Sequence, residues 1–133
     1  MNPANTDHPF VIEPAARRVR IYAMGRQIAD TMSALTLTEW GQPPVLYLPR
    51  ADVDMALLKR DTRTTVSPDK GIATYYSIEV GGDSFADAGW SYEDPIPGAE
   101  QIRGFISFNP QLVYAPVPSA TAVDRIRNAS EHP

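Results

Sequence analysis

IATYYSIEVGGDSFADAGWSY, residues 72–92, is the part of the sequence from which the fold class follows most directly. Its first nine residues are rich in β-branched and aromatic side chains, which favour an extended strand. Strict alternation would place one set of these side chains on the same face: Thr74, Tyr76, Ile78 and Val80. The following GGD, residues 81–83, indicates a tight hairpin turn, and SFADAGWSY provides the return strand. We therefore predict an antiparallel hairpin over residues 72–92.

The same two-residue period extends to both sides of this hairpin. The predicted further strands are RRVRIYAMG (17–25), IADTMSALTLTEW (28–40) as one or two strands, VLYLP (45–49) and QIRGFISFN (101–109). The best helix candidate is RADVDMALLKR, in which Asp52 is a suitable N-cap and Val53, Ala56 and Leu57 have helical spacing. The pattern predicts a mainly β protein, an antiparallel sandwich or open barrel, with one short helix around residues 52–58.

Composition limits the domain organisation and the partners. With 133 residues, 43% of them apolar, the chain fits one β domain over residues 10–114, between a polar leader (1–9) and a flexible tail (115–133). The formal charge of −4 argues against nucleic acid as a partner. The sequence has no apolar run near the ~20 residues of a membrane helix and no visible secretory signal. We expect no membrane association and a cytoplasmic location.

Residue types also exclude several kinds of chemistry. The chain has no cysteine, so a thiol nucleophile and thiolate metal sites are excluded. The two histidines, His8 and His132, lie near the chain ends and argue against a catalytic triad or a histidine metal site in the folded centre. We expect no metal and no cofactor, and any acid–base chemistry would fall to Asp, Glu, Lys or Tyr.

Four short motifs occur in order along the chain: PRADV (49–53), SPDKG (67–71), WSY (90–92) and IRG (102–104). Together they resemble the bacterial domain-of-unknown-function 427 family, over a region from about Arg17 to Phe108. The resemblance implies a β-tent-like fold, in which two antiparallel sheets pack steeply around a concave cavity.

The resemblance also has departures. The family sometimes carries a nucleotidyltransferase-like label, but this chain lacks a Gly-Ser element followed by spaced metal-binding carboxylates. Folds of this shape elsewhere hold zinc with Cys-x-x-Cys pairs, which this chain cannot do. Family members often have cysteine where this sequence has Ser67, so a thiol mechanism is not available here.

Five residues are candidates for a ligand site. Lys70 lies in the SPDKG turn, where it is either solvated or aimed over a cavity at an anionic ligand. Three aromatic residues could line that cavity, Tyr76, Trp90 and Tyr92, although core packing is the commoner role of such side chains. Arg50 could pair with Asp52 or contact an anion.

Three functional hypotheses follow from these candidates. The first is binding of a small anionic or amphipathic molecule in an aromatic cavity with Lys70 and Arg50 near its rim. The second is an enzyme that uses Lys70 with a tyrosine as acid–base partner. The third is an interaction module, such as a homodimer joined through strand edges.

Overall fold

A computed structural model of the chain describes residues 9–110 and contains β-strands and short 3-10 turns. The strands are β1 (Phe10–Pro14), β2 (Val19–Ala23), β3 (Arg26–Thr31), β4 (Leu35–Glu39), β5 (Val45–Tyr47), β6 (Leu58–Ser67), β7 (Gly71–Val80), β8 (Asp83–Tyr92) and β9 (Ser107–Phe108). The prediction of a mainly β protein is confirmed. The predicted leader (1–9) and tail (115–133) lie outside the described residues, apart from Pro9.

The strands form three antiparallel sheets, with the orders β1-β4-β5, β2-β3 and β6-β7-β8-β9. Leu48 and Ile106 join two of the sheets by a pair of backbone hydrogen bonds, each 2.8 Å long. A single bridge between Ala29 and Val53 attaches the β2-β3 hairpin to the chain before β6. The resemblance implies two sheets, whereas the described residues form three. The third sheet arises because β2 and β3 pair as strands only with each other within the described residues.

Two hairpins build the largest sheet. The central one, β7-β8, turns at Gly81 and Gly82, as its sequence predicts. The other, β6-β7, turns at SPDKG, where Ser67 pairs with Gly71 and the Ser67 carbonyl accepts a 3.3 Å hydrogen bond from the Lys70 N–H. Gly71 has a φ of 121°, a conformation that favours glycine. The backbone of the turn therefore explains the glycine at this position.

Two sequence-based assignments need correction. The predicted helix at 52–58 is instead two 3-10 turns, Arg50–Asp52 and Met55–Leu57. Val53 lies between them in an extended conformation, because it is buried and pairs with β3. The predicted last strand over 101–109 shortens to β9, because a 3-10 turn over Glu100–Ile102 precedes it.

Two apolar clusters form the core. The first lies among β2, β3 and one part of the largest sheet and includes Val19, Ile21, Ile28, Leu48, Tyr76, Ile78, Ile106 and Phe108. The second lies against the β1-β4-β5 sheet and includes Phe10, Leu37, Tyr47, Ala73, Tyr92 and Ile102. The largest sheet therefore contributes side chains to both clusters. Within residues 9–110, no helix has the length and apolar character needed to cross a membrane.

Candidate functional site

The register of the central hairpin separates the aromatic residues that the sequence analysis grouped together. Tyr76 pairs with Gly89, whereas Trp90 pairs with Tyr75 and Tyr92 pairs with Ala73. Paired residues of antiparallel strands share a face, and successive residues alternate between faces. Tyr76 therefore lies on one face of the sheet, and Trp90 and Tyr92 lie on the other. These three side chains do not line one site.

Lys70 is neither solvated nor open to a ligand. The residue is 7% exposed, and its Nζ lies 3.1 Å from Oε1 of Glu39, at the end of β4. The same ammonium lies 5.5 Å from the centre of the Phe10 ring. The Lys70 carbonyl accepts a 2.9 Å hydrogen bond from the N–H of Ile96. The side chain thus ties the β6-β7 turn to the β1-β4-β5 sheet.

On the face that carries Trp90 and Tyr92, the aromatic side chains contact one another. Trp90 Nε1 donates to the Tyr47 hydroxyl at 3.3 Å, and the rings of Trp90 and Tyr75 have centroids 6.3 Å apart. Burial raises the pKa of Tyr47 and also that of Tyr92, since removal from water disfavours the phenolate. These residues have the contacts of core packing between two sheets.

Arg50 occupies the centre of a polar cluster on the opposite face of the largest sheet. Its Nε donates to the Gly104 carbonyl at 2.6 Å, and its Nη2 donates to Ser91 Oγ at 3.1 Å and to the Tyr76 hydroxyl at 3.2 Å. Asp52, the partner considered from sequence, instead accepts a 2.7 Å hydrogen bond from Thr31. The guanidinium is therefore held from the loop before β9 and from both central strands.

Glu93, directly after β8, completes this cluster. Its Oε2 accepts hydrogen bonds from Arg50 Nη2, at 2.7 Å, and from the Tyr76 hydroxyl. Its Oε1 accepts a hydrogen bond from Arg60 Nη2, on β6. Partial burial favours the neutral acid, but the hydrogen bonds from Tyr76, Arg60 and Arg50 outweigh it and lower the pKa of Glu93. We refer to Arg50, Arg60, Tyr76, Ser91 and Glu93 as the Arg50 cluster.

The Arg50 cluster combines two guanidinium groups with one carboxylate, so its formal charge is positive by one. Arg60 is the more exposed arginine, with 60% of its side chain accessible, whereas Ser91 is fully buried. Such a set of donors suits a carboxylate or phosphate. Among residues 9–110, no three His, Cys, Asp or Glu side chains come together as metal ligands.

The sequence predicts a site role for Arg50 and Tyr76 but not for the other three members of the cluster: Arg60, Ser91 and Glu93. A signal for two of them is present in the hairpin. Across a two-residue turn, even-numbered positions of β7 pair with odd-numbered positions of β8, as Val80 does with Asp83. The register shifts between Ile78 and Tyr76, from the pair Ile78–Phe85 to the pair Tyr76–Gly89, but by an even number of residues, so Tyr76 still shares its face with Ser91 and Glu93. Arg60 carries no such signal, because the charge-rich sequence of β6 does not predict a strand.

Comparison with known proteins places most of the chain in one family. A family model described as a domain of unknown function (DUF427) matches residues 11–122. A search of curated proteins finds no match to the chain.

Proposed function

The chain belongs to the DUF427 family, and we propose that it binds a small anionic or amphipathic molecule whose anionic group contacts Arg50 and Arg60. The observation that carries this proposal is the convergence of two guanidinium groups on the single carboxylate of Glu93. One carboxylate balances only half of their positive charge. A second anion would therefore be attracted to the same place.

The contacts within the Arg50 cluster leave donors for such an anion. They use Nε and Nη2 of Arg50 and Nη2 of Arg60, so the Nη1 group of each arginine is not part of this set. A guanidinium has five N–H donors in a planar fork that matches a carboxylate or a phosphate. Arg50 is already fixed by Gly104 and Ser91, so little side-chain entropy would be lost when the anion binds.

The contacts of Lys70 give less support to the alternative, an enzyme that uses this lysine with a tyrosine. An amine that forms an imine must be reached by its carbonyl substrate. Lys70 is buried and donates to Glu39, and Glu39 belongs to a different sheet. The positively charged Arg50 cluster, with no reacting lysine in it, favours binding over covalent chemistry.

A binding experiment with acetate and with inorganic phosphate tests the proposal. Wild type, Arg60→Gln and Arg63→Gln would be titrated at low salt and followed by NMR chemical shifts. Arg63 is the matched control, since it lies on the same strand, is 52% exposed, pairs with Asp87 and lies over the Tyr75 ring. We expect Arg60→Gln to weaken anion binding about tenfold, as for the loss of a charged hydrogen bond. Arg63→Gln should bind as wild type does. Equal affinities of all three proteins, or no binding to wild type, would refute the proposal.

A further inference from the structure

Two large apolar side chains lie exposed on the face of the sheet that carries the Arg50 cluster. Val66 on β6 and Ile72 on β7 are direct cross-strand partners, and they are 75% and 57% exposed. Ile72 has the same parity as Tyr76, and the β7-β8 register is regular between them. The Val66–Ile72 pair and the Tyr76 side chain therefore point to the same side of the sheet.

The Val66–Ile72 pair borders the Arg50 cluster. The β7-β8 pairing ends at Ala73 and Tyr92, and the chain after Tyr92 stays alongside the start of β7, since the Ile96 N–H donates to the Lys70 carbonyl; Ile72 and Glu93, the next residues beyond the last pair, are therefore neighbours. Adjacent strands lie about 5 Å apart, which makes the path from Glu93 over Ile72 to Val66 roughly 10 Å long. A positively charged site and an exposed apolar strip are thus contiguous on one surface.

We propose that the ligand of this surface is an amphipathic carboxylate, whose head contacts Arg50 and Arg60 and whose apolar chain lies across Ile72 and Val66. This inference rests on the proposed function and adds the class of ligand to it. The sign of the head group follows from charge complementarity with the two arginines. The apolar chain of the ligand would remove the exposed side chains of Ile72 and Val66 from water. Such burial is the usual source of affinity for an apolar group.

The contribution of the apolar chain can be separated from that of the head group by three probes: acetate, octanoate and octylammonium. Each would be titrated by NMR into wild type, the double variant Val66→Thr/Ile72→Thr and the control Val11→Thr. Threonine keeps the β-branched shape on exposed strands, so the variants should fold. Val11, on β1, is an exposed valine in a different sheet.

We expect octanoate to bind wild type and Val11→Thr at least about tenfold more tightly than acetate, the effect of burying two or more methylene groups. In the double variant this ratio should fall to about twofold, and octylammonium should bind more weakly than octanoate to all three proteins. Equal binding of octanoate and acetate to wild type would overturn this inference and leave the proposed function intact. Absence of binding by both anions would overturn the proposed function as well.

Sedimentation of the same proteins tests whether the Val66–Ile72 pair is instead a contact between two copies of the chain. A wild-type dimer that dissociates in the double variant, with the same octanoate-to-acetate ratio in both, would show that the Val66–Ile72 pair is a contact between two copies of the chain. That result would also overturn the inference.

Discussion

Arg50 Nη2 lies 2.7 Å from Glu93 Oε2, and this contact joins the 3-10 turn after β5 to the chain directly after β8. The two residues are 43 positions apart in sequence. The same guanidinium also donates to Gly104, so three separate loops meet at one side chain. The Arg50–Glu93 contact therefore supports the fold and also sets the charge of the proposed site.

The geometry of Arg50 predicts that lysine cannot replace it. Arg50→Lys keeps the positive charge but removes the planar fork that reaches Gly104, Ser91 and Glu93 at the same time. We expect the free energy of unfolding in urea to fall by about 2 kcal/mol, as for the loss of several hydrogen bonds from a partly buried group. Arg63→Lys on β6 is the control and should change stability by less than about 0.5 kcal/mol. A comparable effect of the two substitutions would mean that the fork has no special role.

The lowered pKa of Glu93 predicts that the free energy of unfolding decreases at acidic pH. Its pKa is lower in the folded protein than the ordinary value of 4.5, so the unfolded chain takes up its proton first as the pH falls. The stabilisation is complete above pH 4.5 and is lost as the pH falls through the lowered pKa. Glu93→Gln should therefore destabilise the protein by about 1 kcal/mol at neutral pH, allowing for solvent screening. Urea unfolding at several pH values should show this difference shrinking below pH 4.5. A difference that stays constant with pH would show that the ionisation of Glu93 does not contribute.

The pair of Lys70 and Glu39 predicts that the β6-β7 turn and the β1-β4-β5 sheet are energetically coupled. Lys70→Met leaves the Glu39 carboxylate without this partner, and we expect it to cost about 2 kcal/mol, less than for a fully buried pair because Glu39 is partly exposed. Glu39→Gln and the double variant complete a mutant cycle, whose interaction energy should exceed about 1 kcal/mol. Lys59→Met, at an exposed position of β6, is the control. Additive effects of the two single substitutions would contradict the coupling.

The central hairpin could be predicted from sequence because its information is local. Alternating β-branched and aromatic residues on both sides of Gly81-Gly82 satisfy the strand period and the turn chemistry together. The helix over 52–58 could not be judged in this way. Its apolar spacing fits a helix, and the contacts that go with the extended Val53 are tertiary: the bridge to Ala29 and the hydrogen bond from the Asp54 N–H to the Ile28 carbonyl.

The position of the site depended on contacts that a single sequence does not display. Lys70 has the sequence context of a solvated turn lysine, because its four neighbours are turn residues, but in the structure it is buried against Glu39 from another sheet. The sequence of β6, LKRDTRTTVS, does not predict a strand because it carries many charges, as suits an edge strand. Arg60 lies on this strand, so the sequence does not predict its role either. The two-residue turn predicts the side of the sheet on which Tyr76 lies, and the shift in register between Ile78 and Tyr76 preserves that side because it moves the pairing by an even number of residues.

The central claim, that the Arg50 cluster binds an anion, is tested most directly by an NMR titration of the isotope-labelled wild-type protein with octanoate. The side-chain Nε–H signals of Arg50 and Arg60 report on the proposed site, and the indole N–H of Trp90 reports on the opposite face of the same sheet. We predict that both arginine signals shift and saturate together while the Trp90 signal stays in place. Movement of the Trp90 signal with unchanged arginine signals, or no saturable shift at all, would contradict the claim.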